Sequence, residues 1–190
     1  MLRRFETFLW IIALAAIALY SLSFAERWSA QAYWNLKFAE ALNLPARSVP
    51  PKVAIRYSDQ PLGRLEIPSI DLSAIFVEGV DQRALGRANG HIPGTALPGT
   101  AGNVGLSAHR DTFFRRLGKL HSGDAIWINT LDGRYEYIVE SSQVVNPDED
   151  IVLRPVGRPT LTLITCYPFY YVGPAPKRFV VHASLITDSH

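Results

Sequence analysis

The strongest hydrophobic signal lies at the start of the chain. Residues 8–20 carry no charge and no proline, and the weakly polar segment 21–25 extends the run to 18 residues before Glu26. A helix crossing the hydrocarbon core needs roughly 20 apolar residues, with a lower limit of about 17, so the length suffices. Arg3 and Arg4 precede the run and favour a cytoplasmic N-terminus. We expect residues 1–25 to form a cytoplasmic stub and a transmembrane signal-anchor. That makes a single-pass protein of the cell membrane with its domain on the extracytoplasmic side. Ser23-Phe24-Ala25 also has the small-x-small form of a signal-peptidase site. A cleaved leader therefore stays open, and both readings export the domain.

Beyond Glu26 the pattern changes twice. Residues 27–44 lack glycine and proline and carry alanine, leucine and charged residues, which predicts a helix. Its apolar positions, such as Trp28, Trp34 and Phe38, form no single stripe. Pro45, Pro50, Pro51 and Pro61 then break regular structure, so residues 26–60 are expected as a juxtamembrane helix and linker. From residue 61 to 190 the pattern is short strands split by turn residues. The candidates are residues 64–67, 74–77, 102–108, 125–129, 134–139, 160–165 and 178–185. Asp132-Gly133 between two of them predicts a hairpin. Residues 111–120 leave room for a short helix. The spacing predicts a mainly all-β domain, a closed or nearly closed β-barrel.

Composition adds exclusions. The formal net charge is +2 and no basic block appears, so nothing points to nucleic acid. A single cysteine, Cys166, allows neither an internal disulfide nor a cysteine-rich zinc site. A lone cysteine is either an inert apolar filler or a reactive thiol. Here Thr160-Leu161-Thr162-Leu163-Ile164-Thr165 reads as a half-buried strand that stops at Tyr167-Pro168. Cys166 therefore sits at a strand end, where a thiol can reach a groove.

A nucleophilic thiol needs a proton partner, because its ordinary pKa of about 8.5 leaves little thiolate at neutral pH. Five histidines are available: His91, His109, His121, His182 and His190. His109 ends the strand over residues 104–108, a placement like that of Cys166, and is preferred to His91, which lies in a predicted loop. Asp111 is placed either to orient His109 or to cap the turn that follows. Arg178 opens the last strand, and a hairpin over residues 165–179 would set it beside Cys166. An arginine in a partly dry groove suits a developing oxyanion. Asp148-Glu149-Asp150 is read as a solvated acidic loop rather than a calcium site. No metal and no cofactor are expected.

Three segments carry a family resemblance. Thr162-Leu163-Ile164-Thr165-Cys166 resembles the TLxTC element of sortases. The run from Gly105 to Phe114 resembles the segment with the sortase histidine, and that from Gly173 to Val181 the segment with its arginine. Most similar are the class D sortases, over residues 62–186. The resemblance implies a closed eight-stranded sortase-type β-barrel with short helices, and a cysteine transpeptidase. In these roles Cys166 is the nucleophile, His109 the proton donor and acceptor, and Arg178 the oxyanion and substrate stabiliser, with Thr165, Asp111 and His91 as supporting candidates. The implied partners are surface or secreted proteins with a C-terminal sorting signal of the LPxTG or LPxTA kind, and an amine acceptor such as a peptidoglycan precursor, a lysine or water. The chain's own Leu97-Pro98-Gly99-Thr100-Ala101 matches such a signal but reads as a turn. The alternative is a non-catalytic sortase-like envelope scaffold.

Overall fold

The computed structural model describes residues 2–42, 61–154 and 157–189. The linker expected around residues 45–60 lies outside them. Helix α1 runs unbroken over Leu2–Leu42, about 60 Å at 1.5 Å per residue. Its stretch Glu6–Glu40 is long and apolar enough to cross a membrane. The far end of α1 is not a free stalk. Phe38 is buried with Ile75, Val77 and Ala88, and Trp34 packs against them. Gln31 accepts from the Ile75 N–H at 3.0 Å and donates to Arg87 O at 2.6 Å. Arg64 donates to Asn35 at 3.2 Å. These contacts explain why the apolar positions of this half form no plain stripe: residues 31, 34, 35 and 38 meet different parts of the domain.

Eight strands follow: β1 Pro61–Ile67, β2 Leu72–Glu78, β3 Asn89–His91, β4 Asn103–Ser107, β5 Ala125–Asn129, β6 Arg134–Val145, β7 Thr160–Tyr167 and β8 Lys177–Ser189. They close into a barrel in the order β1-β2-β3-β4-β7-β8-β6-β5. The expected Asp132-Gly133 hairpin joins β5 to β6, with Thr130 N–H donating to Gly133 O at 2.9 Å. β3 was not expected. It has three residues, no apolar alternation and a glycine at its centre, yet all three are buried. The helix α2, Gln82–Arg87, was also unforeseen; Asp81 caps it by accepting from Ala84 N–H at 2.9 Å. The room left for a helical turn or short helix within residues 111–120 is taken by one 3-10 turn, Leu117–Lys119.

Alternation sorts each strand into two faces. Leu65, Ile67, Leu106, Ile128, Leu161 and Leu163 point inward and are wholly buried in one cluster that fills the barrel. The sorting-signal lookalike is a turn on this core. Thr100 N–H donates to Leu97 O, and Gly99, at φ 78°, lies against the Tyr135 ring, leaving no room for a Cβ.

Outside the barrel, a polar network ties β4, β7, β8 and β6 together. Thr162 Oγ1 donates to Asn103 Oδ1 at 2.9 Å and lies 3.2 Å from His182 Nδ1. The other ring nitrogen of His182 lies 3.2 Å from Gln143 Nε2, a donor. A neutral ring fits these neighbours. Burial holds His182 below its ordinary value, and the Glu140 carboxylate offsets part of that. The unfolded chain therefore takes up a proton on this group before the folded chain does. Its contribution to stability is lost as pH falls through the ordinary value of 6.5. Glu140, held low chiefly by the Ser184 hydroxyl, loses its own contribution at more acid pH, below 4.5. His182→Gln is expected to flatten the fall in melting temperature between about pH 7 and about pH 5. An unchanged slope would assign the acid sensitivity to other groups.

Candidate active site

The inward residues of β7, Leu161 and Leu163, define the parity of the strand. Thr162, Ile164 and Cys166 then share the opposite, outer face. On β8 the inward Val181 and Ala183 leave His182, Val180 and Arg178 outside. The antiparallel register sets Cys166 directly opposite Arg178, with Ile164 opposite Val180 below it. Side chains opposite one another on such a pair have Cβ atoms about 4.5–5.5 Å apart. On β4, Val104 and Leu106 belong to the core, as does Ala108 just beyond the strand, and the half-buried His109 follows at this end of β4.

β4 runs parallel to β7, with Ser107 level with Ile164, and Ala108 N–H donates to Ile164 O at 3.3 Å. One bond then fixes the next step. The Thr165 hydroxyl donates to Ala108 O at 2.7 Å, a buried contact. It joins the residue before Cys166 to the residue before His109. Thr165 breaks the leucine–threonine alternation expected for this strand: Thr160 and Thr162 face outward, whereas Thr165 points inward with the leucines. Cys166 itself is half-buried, with no disulfide partner.

The loop from β7 to β8 is held at both ends. Tyr167, Phe169 and Phe179 form an aromatic cluster with ring centroids 5.4–6.2 Å apart. At the far side Arg110, adjacent to His109, donates through Nη2 to Tyr171 O at 2.8 Å and Gly173 O at 2.9 Å. Its guanidinium also lies 5.8 Å from the Tyr171 ring centroid. The same loop receives Arg178, whose Nη1 donates to Lys177 O at 3.0 Å and Ala175 O at 3.4 Å. Sequence reasoning missed Arg110. The only signal was its place after His109, and which carbonyls it would find depended on a loop 60 residues away.

The supporting candidates separate. Thr165 belongs to the cluster. His91 is buried opposite Leu106, three residues before His109 on β4, with Nδ1 2.7 Å from Glu78 and Nε2 2.9 Å from Ala96 O. Those bonds fix the loop that follows β3, and the expectation of a loop position for His91 is corrected: it lies in a strand. Asp111 makes no hydrogen bond to His109 among the described residues; the His109 carbonyl accepts instead from Phe114 N–H, Thr112 N–H and the Thr112 hydroxyl. In the acidic loop, Glu149 accepts from Asn146 N–H at 3.0 Å and from its side chain at 2.8 Å. Among the described residues no group of three His, Cys, Asp or Glu side chains is arranged to hold a metal ion.

Known proteins are similar to this chain in sequence and fold. A family model for the Sortase domain matches residues 65–186. Sortase D of Bacillus subtilis is 38% identical over 129 residues, covering 67% of this chain and 65% of that protein. The chain thus spans just under two thirds of that relative's length. A solved Sortase D5 transpeptidase of Clostridium perfringens superposes with a TM-score of 0.75 at 26% identity, covering 84% of this chain and 99% of that one. Sortase E1 of Streptomyces coelicolor, solved with a tripeptide in its active site, gives 0.64 at 31% identity over 68% of this chain and 90% of its own. The match over residues 65–186 lies within the closed barrel and includes Cys166, His109 and Arg178, and the chain belongs to the sortase family.

Proposed function

We propose that this protein is a membrane-anchored cysteine transpeptidase that acts on a peptide sorting signal, with Cys166 as nucleophile, His109 as proton carrier and Arg178 as oxyanion donor. The observation that carries the reading is the register of β7 and β8, which sets Cys166 across from Arg178 while Thr165 ties the strand to the approach of His109. The likeness to a Sortase D5 transpeptidase and to a sortase that holds a tripeptide supports a peptide substrate.

The chemistry runs in two halves. Cys166 passes its proton to His109 as Sγ attacks the scissile carbonyl, and the C–N bond breaks as His109 hands that proton to the departing amine. The acyl group remains on sulfur as a thioester. An incoming amine, or water, then attacks the thioester, His109 takes its proton, and the thiol is released. The guanidinium of Arg178 stabilises the oxyanion formed in each half. The substrate read by these groups is an LPxTG-like or LPxTA-like signal on a surface or secreted protein, and the acceptor is a wall-precursor amine or a lysine. Helix α1 holds the enzyme at the membrane, with the barrel on the extracytoplasmic side.

Arg110 is a positioning residue in this scheme. It follows His109 and pins the carbonyls of a loop whose own carbonyls hold Arg178. Proton carrier and oxyanion donor are thereby set relative to one another by one guanidinium.

A library of signal peptides, incubated with the full chain and an amine and read by mass spectrometry, tests the whole reading. Cys166→Ala is expected to form no thioester. His109→Ala and Arg178→Ala are expected to lose about 10²–10³ in kcat with unchanged circular dichroism. A Cys166→Ala protein that still transfers peptide sinks the proposal. Thr165→Val strands the buried Ala108 carbonyl, so urea unfolding should show a loss of about 1–3 kcal/mol; a neutral result would remove the bond from the account. Arg110→Ala should lower kcat by about 10²-fold through misplacement, and shift the pH–rate profile, at near-constant melting temperature. Arg110→Lys should recover part of the rate. Equal losses of rate and stability would mark Arg110 as merely structural.

A further inference from the structure

Between α1 and the barrel lies a cleft of about 530 Å³ that the peptide chemistry does not use. One wall is a single face of α1: Tyr20, Phe24 and Trp28, spaced four residues apart and stacked in a column with ring centroids 6.5 Å apart. The other wall is the loop after His109, with Asp111, Thr112 and Arg115. The three aromatic side chains are well exposed, at 74%, 54% and 68%.

Depth along α1 decides what fills this cleft. The apolar run ends at Glu26, so Tyr20 and Phe24 fall within the hydrocarbon layer and Trp28 at its edge, where aromatic residues favour the interface. α1 is fixed to the barrel by Gln31 and Phe38, so the loop at 111–115 is held at the depth of lipid head groups. Charge narrows the choice. The segment from His109 to Lys119 carries four basic residues, Arg110, Arg115, Arg116 and Lys119, against one acidic residue, Asp111. Arg110 is engaged by the loop carbonyls, and Arg116 by Ile70 O and Asp71. Arg115 has no ion pair among the described residues and lines the cleft. A guanidinium with open donors at an aromatic, membrane-level groove matches a phosphate with acyl chains beneath it.

We propose that this cleft binds one anionic phospholipid from the surrounding bilayer. Its phosphate sits on Arg115, and its upper acyl carbons lie along Tyr20, Phe24 and Trp28. An apolar peptide segment is the competing occupant, but it offers Arg115 no anion. The proposal rests on α1 being a membrane anchor. It does not rest on the identity of the catalytic residues.

The test is native mass spectrometry of the full chain, purified in mild detergent and exposed to equal amounts of phosphatidylglycerol and phosphatidylcholine. The intact chain should retain phosphatidylglycerol about five- to tenfold over phosphatidylcholine, whose phosphate is the same but whose choline cation offsets the attraction to Arg115. Arg115→Gln should bring the ratio close to one, and Arg115→Lys should keep most of it. Trp28→Ala should weaken both lipids together. Equal retention of the two lipids by the unaltered chain, or an unchanged ratio in Arg115→Gln, overturns the proposal, as does an apolar peptide that binds the cleft with no lipid preference. Resistance of the chain to carbonate extraction from membranes is measured in parallel. A chain that stays in the membrane but shows no phosphatidylglycerol preference sinks the cleft proposal alone. A chain that washes off sinks the anchor reading with it.

Discussion

The register of β7 against β8 is the constraint on which the site depends, and it is set by packing rather than by chemistry. Leu161 and Leu163 lie opposite Ala183 and Val181 inside the barrel. Sliding β7 by a single residue would turn both leucines to the outer face and bring Thr162 into the apolar core. Burying a side chain such as leucine is worth about 1.5–3 kcal/mol, so a slip would cost both such terms at once. The same alignment that keeps the leucines dry holds Cys166 opposite Arg178. The thiol and guanidinium therefore need no attraction of their own to meet.

The histidine arrives by a different route. β4 is parallel to β7, and a parallel pair requires a crossover between its members. Here the crossover contains the 3-10 turn at Leu117–Lys119 and the β5–β6 hairpin, so nothing local in sequence links His109 to Cys166. The Thr165 hydroxyl supplies that link at the point where the ladder ends. Arg110 supplies another on the far side, through the loop that carries Arg178. Three residues from three strand ends are thus joined by one buried hydroxyl and one forked guanidinium, while the aromatic cluster of Tyr167, Phe169 and Phe179 stiffens the mouth between them.

This division explains what the sequence disclosed. Strands with strong alternation, such as β5 and β7, were readable because a half-buried strand must alternate. β3 was not, because three residues around a glycine carry too little pattern, and its burial comes from the neighbours that cover it. Cys166 and Arg178 were legible as a pair, since a hairpin fixes registers over a short distance. His109 was favoured by position but separated from His91 only by where their side chains go. His91 is consumed by Glu78 and Ala96, which no local reading of Asn89-Gly90-His91 reveals. Arg110 and the inward turn of Thr165 were invisible for the same reason: each is defined by a carbonyl far away in sequence.

The docking of α1 extends the argument from the barrel to the membrane. A flexible tether would leave the groove free to face any direction. Here Gln31 bonds the N–H of Ile75, and Phe38 is buried against Ile75, so a helix long enough to span a bilayer is continuous with the wall of the catalytic barrel. Ile75 lies in β2, which pairs with β3, which pairs with β4, the strand that leads to His109. The position of α1 is thus transmitted through two strand pairs to the rim that carries the proposed site. For a groove held at a fixed height, the search for a peptide presented at the membrane surface is confined to a layer rather than a volume. Rigid attachment then raises the effective concentration of the groove at that layer, in the way that a short stiff linker does for any tethered pair.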